Sequence, residues 1–147
     1  MQNMKIKVYN GISKAPEENE TVFFIQSKGN YSGRPLKEPI PNCWEVRTFR
    51  NVDFEILYII YESKILNVFL RGSVIPFLSL EEYKNIITPI LKNAIHENRI
   101  INLHYLQIRK IEENIKHQDK IKSLLFELKK SLSNQVYRKL TIETTTH

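Results

Sequence analysis

The stretch LRGSVIPFLSLEEYKNI, residues 70–86, separates two parts of the chain that differ in character. Gly72 interrupts an apolar run and favours a tight turn, because glycine adopts backbone conformations that other residues avoid. Pro76 ends that run, since proline donates no ladder hydrogen bond. Ser79 and Glu82 form the S-x-x-E pattern of a capping box, which predicts the first residues of a helix. The stretch therefore predicts a hinge between a sheet-containing body and a helical second half.

Three segments before this hinge have the composition of β-strands. KIKVY (5–9) and CWEVRTF (43–49) alternate charged and apolar residues, and TVFFIQ (21–26) is rich in β-branched and aromatic residues. Between the last two lies the segment 27–42, with three of the six prolines and two of the four glycines. This density excludes a helix or a central strand and predicts a long loop of the kind that often carries function.

The period of the apolar residues changes after the third strand. In NVDFEILYIIYESKIL (51–66) most of them recur with helical spacing, and Asn51 or Asp53 is the expected helix cap. Ile56, Ile59 and Ile60 fall off this stripe, so a strand over part of the segment is the alternative. The next apolar run, NVFLRGSVIPF (67–77), is short and contains a glycine, which predicts a strand that bulges or turns at Gly72.

The second half is helical by pattern. Pro89 interrupts the apolar face that follows the capping box and predicts a kink or a break. From residue 100 onward the chain has no glycine or proline, and a seam with steps of three or four predicts a coiled-coil-like helix over about 100–140. The seam comprises Ile101, Tyr105, Ile108, Ile111, Ile115, Gln118, Ile121, Leu125, Leu128, Leu132 and Val136.

A helix of that length is about 60 Å long, whereas a body of about 100 residues has a radius of gyration near 13 Å. The body cannot cover such a stripe, so we expect a homo-oligomer or a partner helix at residues 100–140. The expected interface residues are Ile111, Ile115, Ile121, Leu125, Leu128 and Leu132.

These elements predict an α+β fold with a small mixed sheet and one helix, followed by a capped helix and a long C-terminal helix. The expected divisions are a body over 1–78, a helical region over 79–140 and a frayed tail over 141–147.

Composition narrows the class of protein. No apolar stretch approaches the roughly 18 residues of a membrane span, and the N-terminal segment has charges where a signal peptide is apolar. A cytoplasmic protein without a membrane partner is expected, in a bacterium or a phage-infected cell.

The net charge is +6, and residues 103–140 hold nine Lys and Arg against four carboxylates. This balance favours polyanions as partners, although a solvated lysine-rich helix face is the alternative.

Catalytic patterns are weak. KGNYSGRP (28–35) lacks the spacing of a phosphate-binding loop, and no helix is expected directly after it. The single cysteine, Cys43, and the four histidines complete no metal-ligand set. We therefore expect a protein that is not an enzyme, with no catalytic residue, no metal and no cofactor.

Cations interleaved with aromatic residues in the body are candidates for nucleic-acid contact, because cations bind phosphates and aromatic rings stack on bases. Alternating charge is also typical of any sheet face in solvent. Tyr31 and Trp44 lie among the candidates. The candidate cations are Lys28, Arg34, Lys37, Arg47, Arg50 and Arg71.

Two resemblances add to this interpretation. The blocks FFIQSKGNYSGRPL (23–36), PNCW (41–44) and RGSVIPF (71–77) resemble an uncharacterised domain family of Bacteroides-type gut bacteria and their mobile elements or phages. That resemblance implies a small intact domain and no known activity.

The second resemblance covers residues 56–86 and 111–137. They resemble the end of the target-recognition domain and the spacer helix of type I restriction–modification specificity subunits. This implies DNA recognition by the body and a methyltransferase partner on the helices, although the chain has neither two such domains nor the family's proline pair.

The expected function is a non-enzymatic binding or assembly module. In one version the body contacts nucleic acid and the long helix mediates dimerisation or partner docking. In the other, the chain is a phage or mobile-element interaction protein, structural or host-interfering, that does not bind DNA.

Overall fold

A computed structural model describes residues 4–94 and 97–143. It confirms the α+β fold: four strands form one sheet in the order β1-β4-β2-β3, followed by helices. All three strand pairings are antiparallel, whereas a mixed sheet was expected. The strands are β1 (Lys5–Val8), β2 (Thr21–Gln26), β3 (Pro35–Leu36) and β4 (Cys43–Thr48).

Strand register places most apolar residues of the strands on one sheet face, whereas Phe24 lies on the other face against Tyr9. Ile6 pairs with Val46, and Val46 pairs with Phe23, so these three side chains form a buried row across the sheet. A second row contains Trp44 and Ile25, which are also buried. Successive side chains of a strand point to opposite faces, which is why the alternation in the sequence predicted these strands.

Helix α1 (Asp53–Glu62) covers this face, and its cap differs from the expectation. Val52 is the N-cap residue and makes no side-chain cap hydrogen bond, so the expected capping by Asn51 or Asp53 is wrong. The Asp53 carboxylate instead accepts a 2.5 Å hydrogen bond from the Thr48 hydroxyl at the end of β4. The carboxylate therefore joins the helix to the sheet.

The strand predicted over 67–77 is wrong in its first part. Lys64 has a φ of 63°, which turns the chain sharply after α1, and a 3₁₀ helix occupies Ile65–Phe69. The run is apolar because Leu66 enters the core, while Val68 stays exposed. Only an isolated bridge remains between Arg71 and Phe77.

Helix α2 (Leu80–Asn93) begins where the capping box predicted. The Ser79 hydroxyl oxygen accepts a 3.2 Å hydrogen bond from the backbone N–H of Glu82. The helix continues through Pro89, so the predicted break does not occur. Pro89 lies on the exposed face, where water can satisfy the carbonyl that the missing N–H would have bonded.

The buried face of α2 belongs to the same core as the sheet. Tyr83, Ile87 and Leu91 are buried together with Trp44, whose ring lies 5.2 Å from that of Tyr83. The compact unit that contains the sheet runs to Tyr105, so the boundary expected near residue 78 lies inside it.

Helix α3 (Asn98–Glu143) is continuous through 46 residues. Its first turns belong to the compact unit, where Ile101 packs on the core and the Tyr105 ring contacts those of Phe54 and Tyr58. A second unit comprises the helix from Leu106 onward. Residues 141–143 of the expected frayed tail belong to the helix, and 144–147 lie outside the described residues. No helix in the described ranges combines the length and apolarity needed to cross a membrane.

Candidate binding surfaces

Arg47 lies within a network of charges on the sheet face opposite the core. Its guanidinium forms 2.8 Å ion pairs with Glu45 and with Glu20, and its side chain is mostly buried. Lys7 approaches the same Glu45 carboxylate at 3.3 Å. Two carboxylates therefore already balance the Arg47 charge.

The buried Glu45 carboxylate remains ionised because of these neighbours. Burial by itself raises its pKa, but hydrogen bonds from Ser13, Arg47 and Lys7, with the Arg47 charge, outweigh burial and lower the pKa. Arg47 also donates to the backbone oxygen of Lys14. The network consequently fastens the segment before β2 to the sheet, which is a structural role.

Arg50, which lies just beyond the end of β4, is held in a similar way. Its Nε lies 3.1 Å from the Asp53 carboxylate, and its Nη1 donates a 3.1 Å hydrogen bond to the Leu91 carbonyl. Burial raises the pKa of Asp53, while Thr48 and Arg50 oppose that rise. Arg50 thus links α1 to the end of α2, and its charge is directed into the protein.

Lys28 and Arg71, by contrast, flank one exposed hairpin. Both residues form isolated antiparallel bridges with Phe77. Lys28 is exposed, and Arg71 is 64 % exposed although it lies 3.3 Å from the Glu82 carboxylate. The structure therefore brings together two candidate cations that are 43 positions apart in the sequence, on either side of one residue.

The segment 29–37, which contains a turn and β3, carries the remaining candidates. Gly33 has a φ of 91°, and a Cβ there would lie 2.5 Å from a Leu66 methyl, so only glycine lets this turn sit on the 3₁₀ helix. The Arg34 guanidinium lies 5.3 Å from the centre of the Tyr31 ring, and Lys37 is exposed. Three candidate cations therefore lie in the segment 28–37, and the fourth, Arg71, shares Phe77 as a bridge partner with Lys28.

The sequence around this surface has an unbalanced charge. Residues 27–37 and 63–79 contain five Lys and Arg and no carboxylate. Three carboxylates lie just outside these segments: Glu38 follows Lys37 in the sequence, while Glu82 and Glu62 approach Arg71 and Lys64 respectively. We call Lys28, Arg34, Lys37 and Arg71 the basic surface.

The tip of the hairpin between Arg71 and Phe77 is exposed and apolar, which the sequence patterns did not predict. Val74 is 89 % exposed and Ile75 is 61 % exposed. The available signal was a pair of β-branched residues placed between a glycine turn and a proline, where the chain reverses and cannot bury both.

The expected seam of α3 is divided between the two units. Ile101 and Tyr105 pack within the first unit, as described above. The six expected interface residues all lie in the second unit, and each side chain is between 52 % and 60 % exposed. These six residues are the α3 stripe: Ile111, Ile115, Ile121, Leu125, Leu128 and Leu132.

Metal-ligand side chains do not gather in the described ranges. Residues 4–94 and 97–143 contain no cluster of three or more His, Cys, Asp or Glu side chains with metal-binding geometry. Cys43 is buried at the start of β4. The basic surface and the α3 stripe are the exposed features that bear on binding.

A known family matches almost all of these elements. The family of unknown function DUF6943 matches residues 6–135, from β1 to the end of the α3 stripe. The chain belongs to this family. No curated protein and no solved structure matches it. The expectation of an uncharacterised family is confirmed, whereas the Bacteroides-type origin and the likeness to restriction–modification subunits stay predictions.

Proposed function

We propose that this DUF6943 chain is a non-enzymatic assembly module in which two copies associate through α3 as a parallel coiled coil. The observation that carries the proposal is the α3 stripe, because soluble proteins rarely leave a continuous apolar row bare. We place the protein in the cytoplasm.

The spacing of the seam supports a coiled coil. From Ile101 to Val136 its ten steps span 35 residues, a mean of 3.5 residues per step. A period of 3.5 keeps the seam facing a partner when two helices supercoil with a left hand. Within it, Gln118, Ile121, Leu125, Leu128 and Leu132 follow the alternation of three and four without interruption.

The size of the stripe suits a second copy. Fully burying one large apolar side chain contributes 1.5–3 kcal/mol, at about 25 cal/mol per Å² of apolar surface. These values correspond to roughly 60–120 Å² of surface removed from water per side chain. The six half-exposed residues, with Leu124, Val136 and Leu140, would bury about 450 Å² per chain, or about 900 Å² in a pair. Flanking polar groups would bring the total above the roughly 1,000 Å² of a stable interface. A second copy supplies a matching stripe by construction.

Charges beside the stripe favour a parallel pair. Lys122 and Lys129 occupy the same flanking position in successive heptads, and His117 and Leu124 occupy the opposite flank. In a parallel pair each lysine faces His117 or Leu124 of the second copy. In an antiparallel pair Lys122 would approach Lys129 of the second copy, and like charges repel.

Cross-linking tests this arrangement. Gln118→Cys places a thiol in the seam, whereas Ser123→Cys places it about 140° away around the helix. We expect oxidation to join two copies of the Gln118→Cys variant efficiently and the Ser123→Cys control poorly. Equal cross-linking of both variants would contradict a parallel seam.

A second candidate function, nucleic-acid contact by the body, is favoured by the basic surface. Phosphate contacts by Lys and Arg release counterions, so affinity falls steeply with salt. With about four contacts, we expect the logarithm of affinity to fall by about 3.6 per tenfold rise in salt. Association that ignores nucleic acid would favour a phage or mobile-element protein that contacts an acidic protein partner.

A further inference from the structure

The hairpin between Arg71 and Phe77 is rigid at its base. The backbone N–H of Arg71 donates to the Phe77 carbonyl at 2.9 Å, and the N–H of Phe77 donates to the Arg71 carbonyl at 2.8 Å. The Pro76 carbonyl accepts a 2.7 Å hydrogen bond from the Gly29 N–H. These bonds hold the hairpin in place on the turn that carries part of the basic surface.

The turn itself is equally constrained. Gly72 has a φ of 94°, and a Cβ there would collide with the Ile75 carbonyl oxygen, so the tight geometry requires glycine. Pro76 fixes a further backbone angle immediately before Phe77, which pairs with Arg71. Val74 and Ile75 project from this frame with β-branched side chains that have few rotamers. The tip is therefore apolar, bare and preorganised.

Cations lie beside the base of the hairpin. Lys28 and Arg71 bridge to Phe77 from opposite sides, and Phe77 is two residues from Ile75 along the chain. An apolar wedge flanked by cations is the arrangement that architectural proteins use to separate stacked base pairs while they hold the adjacent phosphates.

Building on the proposed nucleic-acid contact, we propose that Val74 and Ile75 form a wedge that enters between two base pairs of a duplex and bends it. Lys28 and Arg71 bind the phosphates on either side. The small apolar area of the tip favours a duplex over a lipid surface. Interfacial membrane binding scales with the apolar area buried, and two residues supply only a small area.

The test measures duplex bending separately from binding. A short DNA duplex with a fluorescent donor and acceptor at its ends reports bending as increased energy transfer, and anisotropy of the same duplex reports affinity. The full chain is compared with Val74→Ser/Ile75→Ser, with Arg71→Gln and with the control Ile12→Ser. Ile12 is 75 % exposed outside the hairpin, so its replacement removes a similarly bare aliphatic side chain.

The expected results differ for each variant. The wild-type chain and Ile12→Ser raise energy transfer on binding. Val74→Ser/Ile75→Ser binds about tenfold more weakly without bending the duplex, and its salt slope is unchanged because phosphate contacts remain. Arg71→Gln still bends the duplex, while its salt slope falls by about 0.9 because one phosphate contact is lost. Circular dichroism establishes that each variant is folded.

Three results would overturn the wedge. Wild-type binding without bending would overturn it and leave nucleic-acid contact standing. If Val74→Ser/Ile75→Ser bent the duplex as much as the wild-type chain does, the wedge would also be overturned and nucleic-acid contact would stand. An absence of DNA binding, with capture on phosphatidylserine vesicles that the serine variant loses, would overturn both proposals and assign the tip to a lipid surface.

Discussion

Replacing Leu125 and Leu128 with aspartate is expected to abolish association through α3. Both side chains lie in the middle of the α3 stripe and are a little more than half exposed. Burying the exposed half of one leucine contributes about 1 kcal/mol, since full burial contributes 1.5–3 kcal/mol. A dimer buries four such leucines, so the double substitution removes about 4 kcal/mol, which weakens association about a thousandfold.

A matched control occupies another face of the same helix. Phe126 is 60 % exposed, and Tyr137 lies 11 positions further along the helix. Eleven residues make three turns and about 20°, so the two side chains leave the helix in nearly the same direction. Phe126→Asp/Tyr137→Asp changes charge and helix propensity by similar amounts but leaves the stripe intact. We expect this control to associate as the wild-type chain does.

Sedimentation equilibrium over a concentration series measures both variants. The stripe variant should have the mass of one chain where the wild-type and control chains have the mass of two. An unchanged mass for Leu125→Asp/Leu128→Asp would refute the role of the stripe. Equal loss of association in the control would show that charge on α3, rather than apolar burial on one face, governs assembly.

Further predictions concern the body. Glu45→Gln should lower the free energy of unfolding at neutral pH by about 3 kcal/mol, because it breaks a buried ion pair. Since the folded state lowers the pKa of Glu45, its contribution is present above the unfolded pKa and is lost as pH falls through the folded value. Urea denaturation at several pH values should show a weaker acid dependence in the variant, and identical profiles would contradict this role. Ile87→Ala, at a fully buried position of α2, should destabilise the body by about 3 kcal/mol in urea denaturation; a change near zero would contradict the packing of α2 into the core. Ser79→Ala should cost about 1 kcal/mol in the same assay, because it removes the cap of α2. Tyr83→Phe should leave stability unchanged or raise it by up to about 1 kcal/mol, because the buried hydroxyl has no hydrogen-bond partner among the described residues. A large loss on thermal denaturation would reveal a bond to that hydroxyl.

Local patterns in the sequence predicted much of the fold. Alternation in β1 and β4 has a direct physical cause, since their apolar side chains face the core while their charged side chains pair with one another on the opposite face. The capping box at Ser79 likewise satisfies an orphan N–H within four residues. Both features depend on near neighbours, so they are visible without knowledge of the tertiary structure.

The features that could not be predicted depend on distant residues. The ion pair between Arg47 and Glu20 joins positions 27 apart, and nothing local distinguishes Arg47 from an exposed strand cation such as Lys7. The 3₁₀ helix after Lys64 is apolar and short, and its composition equally suits a strand. The position of Lys28 beside Phe77 likewise required the tertiary structure.

The most direct test of the proposed assembly is the mass of the wild-type chain in solution, measured by sedimentation equilibrium at moderate salt. Association through the α3 stripe predicts a concentration-dependent species with twice the 17.5 kDa of one chain. A mass of 17.5 kDa at every concentration would contradict self-assembly.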